Sequence, residues 1–342
     1  MKRQSLYFIG PCRVAVREEE MSGPAPDQVL VQAVASAISP GTELLLYRGQ
    51  APTDVPLDET IEDFAHQFQY PMKYGYSAVG RVVEVGSNVC ASWQNCLVFS
   101  FHAHESYFLS APSELLSVPA DLTAEEAALL PNMETALNFL MDGRPLIGER
   151  VVVFGQGVVG LLTIALLSRL PLESLISLDR FPLRREKSIA LGAHASLDAE
   201  ATKAITGLTE LLGEGDEAGA DLTYELSGNP DALNQAIACT GFDGRIVIGS
   251  WYGQKRSDLN LGGRFHRSRI RLISSQVSTI APELTGRWTK ARRLRLAFQM
   301  LRQLRPSHLI THRFQLAQAA EAYELIDHRP EEAVQVILTY ND

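Results

Sequence analysis

Residues 148–170 read GERVVVFGQGVVGLLTIALLSRL, and this stretch decides the fold. Residues 151–154 are a short apolar, β-branched run, as expected of a strand buried on both faces. Gly155, Gly157 and Gly160 follow in G-x-G-x-x-G spacing, and an apolar helical segment starts at once with Val158 and Val159. Each glycine has its own physical task. The first makes the tight turn, the second lets a pyrophosphate approach the main chain, and the third lets helix and strand pack closely. The helix N-terminus adds unpaired N–H groups and a partial positive charge for the phosphates. The three glycines also break the apolar run, which fits a strand and helix better than a membrane span.

Working outward, SLISLDR reads as a second strand ending in Asp179, nineteen residues beyond Gly160, where a carboxylate can accept hydrogen bonds from ribose hydroxyls. ADLTYELSG, GRIVIGSWYG and RIRLISSQVS read as further strands, and NPDALNQAIACT as a helix begun by Asn229-Pro230. This alternation predicts an α/β fold with a doubly wound parallel sheet. The ligand lies at the carboxyl ends of such strands, which puts Ser227, Gly228, Ser250, Trp251, Ser274, Ser275 and Gln276 at its nicotinamide end. Asp179 argues for NAD, because a 2′-phosphate beside it is a like-charge contact costing about 2–5 kcal/mol. Arg180, Arg184 and Arg185 keep NADP open, since an arginine just past this strand can receive that phosphate.

The whole chain has 342 residues, 46% of them hydrophobic, which is enough for two domains of usual size. Its net charge of −9 argues against a nucleic-acid partner, which calls for a basic surface. The segment MKRQSLYFIGPCRVAVREEE lacks the sustained apolar region of a signal peptide, so a cytoplasmic protein without a membrane partner is expected. Cys12, Cys90, Cys96 and Cys239 form no Cys-x-x-Cys pair, and Cys90 and Cys96 read as buried or half-buried free thiols.

With GERVVVFGQGVVGLL, LDRFPLRREKSIALGAH, YELSGNPDALNQAI and HLITHRFQLAQAAEAYELI in hand, nearly the whole chain resembles the medium-chain dehydrogenase/reductase superfamily. Within it, ASAISPGTELLLYRGQAP and GYSAVG, with YELSGNP and SWYG, are locally similar to bacteriochlorophyllide a dehydrogenase and related members lacking the usual zinc ligands. The resemblance implies a Rossmann domain (126–277) inserted into a mostly β, GroES-like catalytic domain formed by both chain ends (1–125 and 278–342), and a homodimer. It also implies an oxidoreductase passing hydride between NAD(P) and the carbonyl or alcohol of a sizeable biosynthetic intermediate, a small-molecule substrate. Reduction of a quinone or enone C=C bond is the nearest alternative, and an inactive nucleotide-binding or sensory protein is the alternative of another class.

The chain departs from the zinc-dependent pattern. Pro40 stands at the cysteine position, Tyr76 and Ser77 stand at the His-Glu positions, and LLPNMETALNF offers Glu134 but no cysteine. A catalytic zinc needs three protein ligands and an open position, so none is expected. HAHE offers His102 and His104 on one face of a strand with Glu105 on the other, which is two ligands and not a site. Without zinc, Tyr76 is the candidate proton donor to the substrate oxygen, with water exchange beside an aromatic wall as the plainer reading. Lys73 is expected to lower its phenol by charge proximity, and His104 is the second acid/base candidate. The resemblance makes Thr42 the start of a proton relay and Thr135 a contact of the nicotinamide ring. Glu43 is expected to be structural, paired with an arginine such as Arg48. PTDVPLDETIEDFAHQFQ (residues 52–69) is a candidate lid or surface excursion. RWTKARRLRLAFQMLRQLRP reads as an amphipathic helix whose apolar face is Leu294, Ala297, Phe298 and Leu301 and whose arginines are wet.

Overall fold

The computed structural model describes residues 1–54, 68–200, 204–213 and 218–340. The chain divides into two compact units, Met1–Pro131 with Leu294–Asp342, and Asn132–Arg293. The first contains β1 (Lys2–Gly10), β2 (Arg13–Glu20), β3 (Val29–Ala37), α1 (Pro40–Tyr47), β4 (Met72–Lys73), β5 (Ala78–Val85), β6 (Leu97–Ser100), β7 (Tyr107–Ser110), β8 (Leu116–Ser117) and α2 (Ala124–Ala127). The second follows α3 (Leu130–Gly143) with β9 (Arg150–Phe154), α4 (Val158–Leu167), β10 (Ser174–Leu178), α5 (Pro182–Ala190), β11 (Ala195–Leu197), α6 (Ala204–Leu211), β12 (Ala220–Glu225), α7 (Ala232–Cys239), β13 (Thr240–Ile248) and β14 (Arg271–Ser274). After α8 (Lys290–Leu304), the chain adds β15 (Ile310–Gln315), α9 (Ala319–His328) and β16 (Gln335–Thr339) to the first unit.

The second unit is a six-stranded parallel sheet in the order β11-β10-β9-β12-β13-β14. Counting strands within this sheet gives 3-2-1-4-5-6, the Rossmann order, with its switch point between β9 and β12. The apolar run that announces β9 is explained by the packing. Val152 and Phe154 face one core with Ile176, Leu178, Leu233 and Ile237, while Val151 and Val153 face another with Phe139, Ile164 and Leu167. A strand covered on both faces has no place for polar alternation.

In the first unit, β2, β1 and β4 form an antiparallel sheet, and a second sheet runs β15-β16-β3-β5-β6-β8 with β7 also paired to β3. Leu6, Phe8, Ile38, Leu45, Leu325 and Ile326 share one core, so α1 and α9 are packed by the same cluster that covers β1. That packing seats the start of α1, where Ser39 and Thr42 lie.

Three expectations change here. Leu294, Ala297, Phe298 and Leu301 are buried as read, but Arg293 of the same helix is buried completely rather than wet. Its guanidinium is satisfied by Glu134 (3.1 and 3.0 Å), Asn138 and the carbonyls of Val277 and Thr279, which makes burial tolerable. Residues 101–104 are not a strand, so His102 and His104 do not share a strand face. His102 stacks on Phe108, and its Nδ1 lies 3.7 Å from Glu105, whereas His104 points to Glu43. All four cysteines are free, but Cys12 and Cys90 are exposed; Cys96 is half-buried and Cys239 buried. In the candidate lid, residues 55–67 lie outside the described residues.

Candidate active site

In the second unit the strand ends are brought level by register: Phe154 pairs with Leu178 and Glu225, and Glu225 with Ile248, which pairs with Ser274. The glycine turn lies above them. A Cβ on Gly160 would fall 2.0 Å from the Gly155 carbonyl oxygen, so only glycine lets α4 pack this close. A Cβ on Gly157 would meet nothing within 4 Å. Gly157 is also the N-cap of α4, and no side-chain cap closes the start of this helix among the described residues. Open space bounded by uncapped amides is the cradle a pyrophosphate fills.

Asp179 stands at the end of β10, nearly buried, and accepts from the Gln156 N–H (2.7 Å) and the Phe181 N–H (2.9 Å). The glycine turn and the carboxylate are therefore fixed against each other, and lone pairs remain for ribose hydroxyls. The neighbouring arginines have partners. Arg180 stacks over Phe181 and lies 3.6 Å from Glu200, Arg184 reaches Asp179 at 4.0 Å, and Arg185 donates to the carbonyls of Asp179 and Arg180.

Ser227 and Ser250 both meet Glu225, Ser227 at its carboxylate and Ser250 by donating to its carbonyl at 3.4 Å. Glu225, fully buried at the end of β12, accepts from the Ser227 N–H (2.8 Å) and hydroxyl and from the Tyr252 hydroxyl (2.5 Å). Burial and then the Glu225 carboxylate push the Tyr252 phenol well up. Ser250 accepts from the Gly228 N–H at 2.9 Å, while Trp251 remains partly exposed beside it. The signal for Glu225 was a lone carboxylate closing the apolar run LTYE, a buried charge in need of donors. Ser275 is held by Asn138 (2.9 Å) and Asp142 (2.6 Å), and Thr135 sits half-buried on α3 between Glu134 and Ala136.

In the first unit the structure joins Tyr76 to Thr42 and turns Lys73 away. Tyr76 donates to Ser39 Oγ, and its hydroxyl is 3.3 Å from Thr42 Oγ1. Lys73 Nζ instead meets Glu105 (2.6 Å) and Glu19 (3.2 Å), because Gly75 at φ +130° turns the chain between the two side chains. Glu43 does not pair with Arg48, which binds Asp327 at 2.5 Å. It accepts from the Ser39 N–H (2.8 Å), the Tyr323 hydroxyl and His104 Nε2 (3.1 Å). His104 Nδ1 meets Ser36 Oγ at 2.7 Å, and Ser36 meets Tyr340 at 2.7 Å. Glu43, His104 and Tyr323 are all completely buried. Burial and the Glu43 charge raise the Tyr323 phenol well above its ordinary value, so it stays a donor.

A parallel sheet in Rossmann order, with an open glycine turn and a nearly buried carboxylate at its switch point, has the form of a dinucleotide-binding fold. Residues 158–294 match the family described as zinc-binding dehydrogenase. D-guloside 3-dehydrogenase of Escherichia coli K12 is 23% identical, over 98% of this chain and all of its own. A putative zinc-binding dehydrogenase of Sinorhizobium meliloti, solved bound to NADP, has a TM-score of 0.78 at 18% identity, covering 99% of each chain. The alcohol dehydrogenase rspB of E. coli CFT073, solved with NADH, gives the same TM-score, identity and coverage.

The family description implies zinc, and the donors present do not fit it. Proline offers no ligand at position 40, the Tyr76 hydroxyl is engaged by Ser39, Ser77 donates to the Ala128 carbonyl, and Glu134 is paired with Arg293. Burial raises the Glu134 carboxyl and Arg293 counteracts it. Among the described residues no three His, Cys, Asp or Glu side chains gather as a metal-binding group.

Proposed function

We propose that the protein interconverts an alcohol and a carbonyl on a biosynthetic intermediate with NAD as its preferred carrier, and that Tyr76, not a zinc ion, moves the proton at the substrate oxygen. The observation that carries this reading is the hydroxyl cluster of Tyr76, Ser39 and Thr42, in which the resemblance puts Tyr76 at a zinc-ligand position and Thr42 at that of a relay hydroxyl. During reduction the phenol would give its proton to the carbonyl oxygen and be reprotonated from water through Thr42 and Ser39; during oxidation it would pass its own proton to Ser39 as it takes the alcohol's, the relay ending in water. NAD(P), when bound, accepts or gives the hydride at its nicotinamide ring. The amides of the α4 N-terminus would hold the pyrophosphate, and Asp179 would accept from the ribose hydroxyls and oppose a 2′-phosphate. The engagement of Arg185 with main-chain carbonyls and of Arg180 with Phe181 and Glu200 supports the same preference. A homodimer and a cytoplasmic location belong to this proposal as well; sedimentation equilibrium tests the first.

The test measures NADH and NADPH affinity by fluorescence, metal content of the same preparation, and turnover on a panel of diols, hexitols and ketones, for the wild type and Tyr76→Phe. Expected are tighter NADH binding, no stoichiometric zinc, and a turnover loss of at least about tenfold in Tyr76→Phe with NADH affinity unchanged. Unaltered turnover in Tyr76→Phe would end the acid role, and one zinc per chain would end the metal-free reading.

A further inference from the structure

We propose that His104 is a positioning residue that holds both members of the Tyr76–Ser39 hydroxyl pair at once; this rests on the role proposed for Tyr76. The ring is completely buried, so it meets neither solvent nor substrate, and its influence has to pass through what it touches. On one side, Nε2 binds Glu43 Oε2 at 3.1 Å, and the other carboxylate oxygen holds the Ser39 N–H at 2.8 Å. Glu43 thereby fixes the residue whose Oγ accepts the Tyr76 proton, at the turn entering α1.

On the other side, the ring is packed against the residue preceding Tyr76. A Cβ at Gly75 would lie 2.7 Å from His104 Cδ2 and 2.8 Å from Nε2, so the imidazole forms the seat on which this main-chain turn rests. The His104 N–H also donates to the Tyr74 carbonyl at 3.4 Å. The ring is fixed in rotation by its second nitrogen, which meets Ser36, itself bound to Tyr340. One assignment satisfies every link: Tyr340 donates to Ser36, Ser36 to Nδ1, and Nε2–H to Glu43. Tyr323 donates to the same oxygen of Glu43 and holds it from a second side. A side chain locked at both nitrogens, with Gly75 against its edge and Ser39 one carboxylate away, sets the separation of the Tyr76 and Ser39 hydroxyls.

The experiment combines crystal structures of His104→Gln and Gly75→Ala with a kinetic double-mutant cycle against Tyr76→Phe on the same diol and ketone panel. His104→Gln removes the ring under Gly75, whereas Gly75→Ala removes no hydrogen-bonding group from the chain but pushes on the ring and strains a main chain held at φ +130°. Each variant is expected to keep the fold and open the Tyr76–Ser39 contact beyond about 3.5 Å. Each is also expected to lower kcat about tenfold with KM and NADH affinity little changed, and to add no loss in the Tyr76→Phe background. An intact contact in either variant, or losses that multiply with Tyr76→Phe, would overturn the proposal. Failure of both variants to fold would make His104 a folding residue and overturn it equally. If Tyr76→Phe itself turns over normally, the acid role fails, and the opened or intact contact still decides whether His104 positions the pair.

Discussion

In the Asn132–Arg293 unit the proposed functional parts are main-chain amides and the absence of side chains, at Gly157 and Gly160, close to one another along the chain. In the other unit they are side chains from β3, α1, the Gly75 turn, the segment before β7, α9 and the last described residues, gathered around Glu43. The first arrangement is bounded by sterics and tolerates nothing larger than hydrogen at a few points. The second is bounded by hydrogen-bond satisfaction, because a buried carboxylate holds its neighbours only while every donor is present. The two units should therefore break under opposite changes, one on adding a methyl group and the other on removing an acceptor.

The largest effect is expected from Glu43→Ala. It strands His104, Tyr323 and the Ser39 N–H in a buried site, at a cost of about 3–5 kcal/mol measured by urea unfolding. Glu43→Gln, which keeps the shape and one acceptor, should cost less than half of that; equal losses would mean that volume, not polarity, holds this cluster.

Next comes Gly160→Ala, where the added carbon meets the Gly155 carbonyl. Overpacking of this kind costs about 1–3 kcal/mol, and here it should also abolish NADH binding. Retained stability with lost binding would sharpen the contrast further, since strain would then be confined to the cradle.

The smallest effect concerns the charged cluster on the sheet formed by β1, β2 and β4. Burial by itself pushes the Glu19 carboxyl up, but hydrogen bonds from Tyr7, Lys73 and Ser5 and the Lys73 charge outweigh it and hold it at about 2, below its ordinary 4.5. A carboxyl depressed in the folded protein contributes stability above pH 4.5 and loses it as pH falls toward 2. The thermal midpoint of the wild type should drop across that window, and Glu19→Gln should flatten part of the drop. An identical pH profile in the variant would remove Glu19 from the account.

The same contrast explains what could be read in advance. The glycine spacing, the strand that ends in Asp179 and the strand–helix alternation were legible because each is a local pattern: a turn, a cap or a period of side chains along one element. Lys73, Arg48 and Arg293 were misread because a long cation gives no sign in the sequence of which carboxylate it will meet. Arg293 looked wet by helical periodicity until α3 supplied Glu134 and Asn138. Glu225 had a readable signal, a charge closing an apolar strand, and Ser39 had none.

By itself, then, the sequence determined the class of fold, the glycine turn between β9 and α4, and the presence of Pro, Tyr and Ser at positions 40, 76 and 77, all of which rest on residues near in the chain or on the chemistry of single side chains. Only the tertiary structure decided that Tyr76 is held by Ser39 and Thr42, that Glu43 answers to His104 and Tyr323, and that Lys73 belongs to Glu19 and Glu105. The physical reason is separation. Glu43 and Tyr323 are 280 positions apart, and a hydrogen bond between them exists only once α1 and α9 have packed on the same core.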